Sequence, residues 1–143
     1  MRLHLNIGSN SGNRHARIRA AVAALSSFFS EIGGRMALSA PVRSEPWGFE
    51  SPNKFINIGL MVDLPQEASA DFLLRILARV QTIEKSISPA SHRNADGSYR
   101  DREIDIDLID AGIRMHTPEL TLPHPRAAER PFVIGPMQEL EGR

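Results

Sequence analysis

The sequence predicts a single domain, residues 1–143, in which strands and helices share one core. Runs with apolar residues at every second position alternate with two long stretches whose apolar residues fall at helical spacing. At 143 residues the chain has the length of one domain and can bury about two thirds of its unfolded surface without staples. It has no cysteine, so disulfides and thiolate metal sites are excluded. Seventeen basic residues balance seventeen acidic ones, which argues against a nucleic-acid coat or an anionic membrane as partner. The start, Met1 to Asn6, lacks the apolar run of a signal peptide, and no stretch approaches a membrane span of about 20 residues. A cytoplasmic location is the expectation.

Leu3, Leu5 and Ile7 alternate with His4 and Asn6, so a first strand is expected, ending in the turn Gly8-Ser9-Asn10-Ser11-Gly12-Asn13. That turn matches neither the P-loop nor the dinucleotide fingerprint. From Arg14 to Phe29 the residues Ile18, Val22, Leu25 and Phe29 predict a core-facing helix, closed by Gly33-Gly34. Arg35 to Val42 reads as a second strand, with Pro41 marking an edge or an end. Residues Arg43 to Lys54 form a loop with Pro46, Gly48, Pro52, Trp47 and Phe49. A loop of about 12 residues with large aromatics is either poorly ordered or a lid.

Phe55 to Asp63 is a third strand, with Ile56, Ile58, Leu60 and Val62 on the core side. Phe55, Asn57 and Gly59 lie on the other side: a ring, an amide and open space suit a flat polar heterocycle, or simply a packed phenylalanine beside an incidental amide. Ser69 is the expected N-cap of a second helix whose stripe holds Leu73, Leu77, Val80 and Glu84. An acid near a helix C-terminus is unfavourable, so Glu84 either faces water or serves a site. Lys85 to Arg100 is serine-rich and concentrates His92, Arg93 and Arg100. It is a local basic patch or a solvated loop.

Asp101 to Asp110 is the stretch with the most chemistry. As a strand it puts Glu103, Asp105 and Asp107 on one face and Ile104, Ile106 and Leu108 on the other. Asp105 and Asp107 then stand about 6.7 Å apart and repel by roughly 2.5 kcal/mol at an effective dielectric near 20. A hard divalent cation offsets that repulsion; a solvated edge strand tolerates it. Ala111-Gly112 marks a turn, Ile113–Thr117 and Glu119–Leu122 a hairpin, and a short helix is expected near Arg126. His124, between Pro123 and Pro125, has a stiff backbone that suits either a ligand-facing or a structural imidazole.

Gly8-Ser9-Asn10, Phe55-Ile56-Asn57, Arg102 to Leu108, and Leu122-Pro123-His124-Pro125 with Arg130-Pro131-Phe132 follow one another in the order and spacing of the hydroxymethyl-dihydropterin pyrophosphokinases, which this chain resembles over nearly its whole length. The resemblance implies an α+β, ferredoxin-like antiparallel sheet with helices on one side and the pterin and ATP site on the other. It also implies transfer of pyrophosphate from ATP to the hydroxymethyl group of a reduced pterin, with release of AMP, in folate biosynthesis. On that resemblance Asp105 and Asp107 bind two Mg²⁺ and, with Arg102, form the catalytic group. Glu84, Arg100, Arg102, His124 and Arg130 hold ATP. Phe55 and Phe132 sandwich the pterin, Asn57 reads its edge, and Gly8, Ser9 and Asn10 with Glu45, Pro46 and Trp47 close around it. The expected partners are these small molecules alone, with no nucleic acid or membrane, and the expected protein is a monomer.

Two features depart from the family pattern. Tyr99-Arg100-Asp101 stands where members commonly have Trp-Gly-Pro before the arginine, and the chain stops at Glu141-Gly142-Arg143, short of the usual tail. Arg102 also has the opposite strand parity from the aspartates, so it needs a bend at the strand's start to join them. Two other readings use the same residues: a ferredoxin-like module that binds pterin or nucleotide without turnover, and a metal-dependent phosphodiesterase. The second needs more metal ligands than five scattered histidines offer.

Overall fold

The computed structural model describes residues 1–10, 13–44, 54–88 and 104–142. Strand β1 (Arg2–Ser9) leads into helix α1 (Arg14–Glu31), then β2 (Arg35–Leu38), β3 (Val42–Ser44), β4 (Phe55–Asp63), α2 (Ala70–Ile87) and β5 (Asp105–Asp110). A two-stranded ribbon of β6 (Met115–His116) and β7 (Thr121–Leu122), a 3-10 turn at Ala127–Glu129 and α3 (Pro131–Glu141) follow.

The main sheet has the order β2-β4-β1-β5, with β3 also paired to β4, and every pairing is antiparallel. Strands separated in sequence by a helix flank a third strand, which is the split βαβ arrangement of ferredoxin-like sheets. Each strand's alternation decides its faces. Leu3, Leu5, Ile7, Ile58, Leu60, Val62, Ile106 and Leu108 turn to one side and join Leu25 and Phe29 of α1 and Leu73, Ile76 and Val80 of α2 in the core. Burying each such side chain contributes roughly 1.5–3 kcal/mol. Asn13 and Ser69 cap the two long helices, accepting from Ala16 N–H and Phe72 N–H at 3.0 and 3.2 Å.

The expected single strand from Arg35 to Val42 is two strands. Leu38 pairs with Leu60 and Val42 with Asn57, so Ser39 to Pro41 stand opposite only Ile58 and Gly59. Pro41 has no N–H for the ladder, and the Ser39 hydroxyl takes the Gly59 N–H instead, at 2.8 Å. Helix α2 runs to Ile87, past the loop start expected at Lys85. The ribbon is shorter than the expected hairpin because the Thr117 hydroxyl accepts the Leu120 N–H at 3.0 Å and closes the turn early. The short helix expected near Arg126 is the 3-10 turn Ala127–Glu129, and α3 follows from Pro131, where proline is preorganised for the first helical position.

The α+β class and the antiparallel sheet are as expected, and α1 and α2 share one face. The third helix breaks the one-sided arrangement. Pro136 and Leu140 lie against Gly59 on the opposite face, and a Cβ at Gly59 would stand 2.6 Å from Pro136 Cβ. Helix α3 thereby covers the part of that face below the row of Gly8.

Candidate active site

The register lines up the open face. Gly8 pairs with Asn57 on one side and Asp105 on the other; one row below, Asn6 pairs with Gly59 and Asp107. Adjacent members of a row are about 4.8 Å apart across the strands. Two of the expected pterin residues therefore share a row with one of the expected metal ligands.

Gly8 is what makes the row possible. A Cβ there would meet Asn57 Oδ1 at 2.8 Å and the Phe55 ring at 3.4 Å. Asn57 is 2 % exposed, and its amide donates to the Ser44 hydroxyl at 2.7 Å. Because an amide buried without partners would cost about 1–3 kcal/mol, that bond also fixes which way the carboxamide faces. Ser9, with the parity of Ile7, turns to the helix side and pairs with Ile56, so only its backbone can serve the open face. Asn10 is buried just beyond it.

On the other wall a cavity of about 360 Å³ is lined by Leu77, Gln81 and Glu84 of α2, by Asp105 to Leu108, by Thr117 to Thr121, and by His124 and Pro125. It brings Glu84, Asp105, Asp107 and His124 together. Glu84 does not simply face this space: its Oε2 accepts the Ile106 N–H at 2.6 Å, between the two aspartates. Charge-assisted bonds of this length are among the strong ones. Gln81 and the Thr117–Thr121 turn were not among the expected site residues. Gln81 stands three positions before Glu84 on the same helical face, and that spacing is the signal that finds it.

The His124 backbone N–H donates to Ile109 O at 2.7 Å, and its Nδ1 accepts the Arg126 N–H at 3.2 Å. Burial, then the positive charges of Arg130 and Arg126, hold the imidazole below its usual 6.5, while Asp105 pulls the other way. With Nδ1 occupied as an acceptor, the neutral ring carries its proton on Nε2. Arg130 and Phe132 sit at the start of α3, with the guanidinium carbon 5.9 Å from the ring centre. Arg100, Arg102, Glu45, Pro46 and Trp47, and most of both expected loops, lie outside the described residues.

Among the described residues no group of three or more acidic or histidine side chains could cage a metal. Two carboxylates without a cage suit Mg²⁺, which keeps several waters and completes its shell with substrate phosphates. The fold is an α+β sheet-and-helix arrangement, and its paired carboxylates are a donor set that would suit metal-assisted phosphate transfer.

A sequence model of the 7,8-dihydro-6-hydroxymethylpterin-pyrophosphokinase family matches residues 4–142. The chain belongs to that family. It is 36 % identical over 140 residues to the 2-amino-4-hydroxy-6-hydroxymethyldihydropteridine pyrophosphokinase of Porphyromonas gingivalis, covering 96 % of this chain and 89 % of that one. The Aquifex aeolicus protein of the same name is 33 % identical over 145 residues, covering 97 % and 79 %. That of Mycobacterium tuberculosis is 31 % identical over 146 residues, covering 94 % and 70 %.

Proposed function

We infer that the Gly8 row holds the pterin and that the cavity beside Asp105 and Asp107 holds ATP. The chain is a pyrophosphokinase that transfers pyrophosphate from ATP to the hydroxymethyl group of 6-hydroxymethyl-7,8-dihydropterin, a step of folate biosynthesis. The hydroxymethyl oxygen bonds to the β-phosphorus, the bond from that phosphorus to the α,β-bridging oxygen breaks, the hydroxyl proton is released, and AMP leaves. The observation that carries the assignment of sites is the register: Asn57, Gly8 and Asp105 stand side by side on three adjacent strands. An acceptor held at Asn57 therefore presents its hydroxymethyl group toward the metal ligands.

Such a reaction needs positioned reactants and neutralised charge more than a protein nucleophile. Two Mg²⁺ held by Asp105 and Asp107 supply that neutralisation when bound with the phosphates. Glu84 holds the strand between these ligands in place through Ile106. His124, neutral with its proton on Nε2, donates to a phosphate oxygen, and Arg130 adds positive charge from the start of α3. Phe55 and Phe132 form the walls of the pterin slot, and Asn57 offers its carboxamide to the heterocycle's edge. Arg100, Arg102, Glu45, Pro46 and Trp47 take their parts from the sequence resemblance.

No helix among the described residues is long and apolar enough to cross a membrane. We further place the protein in the cytoplasm as a single-domain monomer that binds no nucleic acid; its zero net charge supports the last point. The test is AMP formation from ATP and Mg²⁺ by the purified chain, with and without hydroxymethyl-dihydropterin. Pterin-dependent AMP is the expected result. ATP hydrolysis that ignores the pterin would replace this reading with a phosphodiesterase, and saturable binding without AMP would replace it with a binding module.

A further inference from the structure

Asn6 is a costly choice for its position. It lies in mid-strand on β1, is 5 % exposed, and stands between Gly59 and Asp107 in the row below Gly8. Asparagine is disfavoured in strands, and a buried amide destabilises unless its hydrogen bonds are made. Its Nδ2 donates to the backbone carbonyl of Phe132 at 2.9 Å.

That carbonyl has a particular need. In a regular helix it would accept the N–H of the residue four places on, and here that residue is Pro136, which has none. Pro136 is in turn the residue packed on Gly59, the neighbour of Asn6. No side chain caps the start of α3, where the Arg130 carbonyl accepts the N–H groups of Val133 at 2.9 Å and Ile134 at 3.0 Å.

We propose that Asn6 is a positioning residue: its amide supplies the donor that Pro136 withholds, and so fixes Phe132 and Arg130 at a set distance from the strand that carries Asp107. The pterin wall and the metal ligands are then registered to each other through one side chain on the strand between them. This proposal rests on the reading of Phe132 as a pterin wall.

The experiment compares Asn6→Ala, Pro136→Ala, the double variant and Phe132→Ala in the AMP-forming reaction, with thermal midpoints measured in parallel. Asn6→Ala is expected to raise the KM for the pterin about fivefold, the effect of roughly one lost hydrogen bond, and to lower kcat less. Alanine at 136 keeps the Cβ that meets Gly59 and restores the N–H. In the Pro136→Ala background Asn6 becomes redundant, so the double variant should match Pro136→Ala alone within about twofold in pterin KM. That comparison stands even if Asn6→Ala folds poorly on its own. A merely structural Asn6 would move the midpoint and leave the KM where it was. An unchanged KM in Asn6→Ala, or no rescue in the double variant, overturns the proposal while a raised KM in Phe132→Ala leaves the site reading intact. An unchanged KM in Phe132→Ala removes the site reading, and the role of Asn6 falls with it.

Discussion

Gly8 and Asn57 face each other across β1 and β4 so closely that a methyl group on Gly8 would stand 2.8 Å from Asn57 Oδ1. Asn57 has little freedom to retreat, because its amide is tied to the Ser44 hydroxyl. Gly8→Ala should therefore break that tie or tilt the carboxamide. The expected outcome is a rise in pterin KM of about tenfold, the equivalent of one misplaced hydrogen bond, with the KM for ATP little changed. Steady-state kinetics with each substrate varied in turn checks it.

Asp105 and Asp107 repel each other when no cation is bound, and removing one removes that repulsion. Asp105→Ala or Asp107→Ala should lower Mg²⁺-dependent turnover by about a hundredfold or more. In metal-free buffer the same variants should be no less stable than the parent. Turnover assays and urea denaturation with and without Mg²⁺ separate the two effects, and unchanged turnover in both variants would sink the metal assignment.

Glu84 serves β5 through the Ile106 N–H. Glu84→Ala should cost roughly 1.5–3 kcal/mol, and Glu84→Gln, which still offers an oxygen, less than about 1 kcal/mol. Hydrogen exchange at Ile106 should quicken in the alanine variant and change little in the glutamine one.

Far from the site, the end of α3 is held to β1 by charge. Glu141 accepts from His4 at 2.6 Å and Arg2 at 3.1 Å, and Arg2 also pairs with Asp63 at 2.7 Å. The His4 hydrogen bond lowers Glu141 from its ordinary 4.5, and Arg2 lowers Asp63 from 3.8. Both carboxyls therefore bind protons more weakly in the folded chain than in the unfolded one. Their contribution is complete above the unfolded values and is lost as pH falls through the lower folded values. The stability difference between the parent and Glu141→Gln should shrink as the pH drops through the carboxyl range, where Glu141 takes up its proton. Because these groups are exposed the effect is modest. Urea denaturation across that range measures it.

The periodic parts of this fold were legible because their signal is local. Leu3 to Ile7, Phe55 to Asp63 and the Ile18–Phe29 stripe each show which side they bury without knowledge of their neighbours. The break in the second strand was half legible: Pro41 announced it, but the Ser39 hydroxyl that replaces the ladder depends on Gly59, twenty residues away. The placement of α3 across the sheet depends on Pro136 meeting Gly59, a contact no period encodes. At the site, the aspartate pair and the Phe55-Ile56-Asn57 triplet could be read as candidates. That Glu84 would hold Ile106, and that Asn6 would reach Phe132, could not, because each joins elements many residues apart.

The Glu84 contact also has a consequence for how the protein behaves in company. Strand β5 lies at one border of the sheet, and a bare border offers its N–H groups to any passing chain. Here the Ile106 donor is already taken by a carboxylate whose charge would repel an incoming carbonyl. At the opposite border the Ser39–Pro41 interruption divides the outer strand into segments of four and three residues. Among the described residues neither border offers a long, regular template for strand addition, so the bond that steadies the strand of Asp105 and Asp107 also guards the sheet against growing into an aggregate.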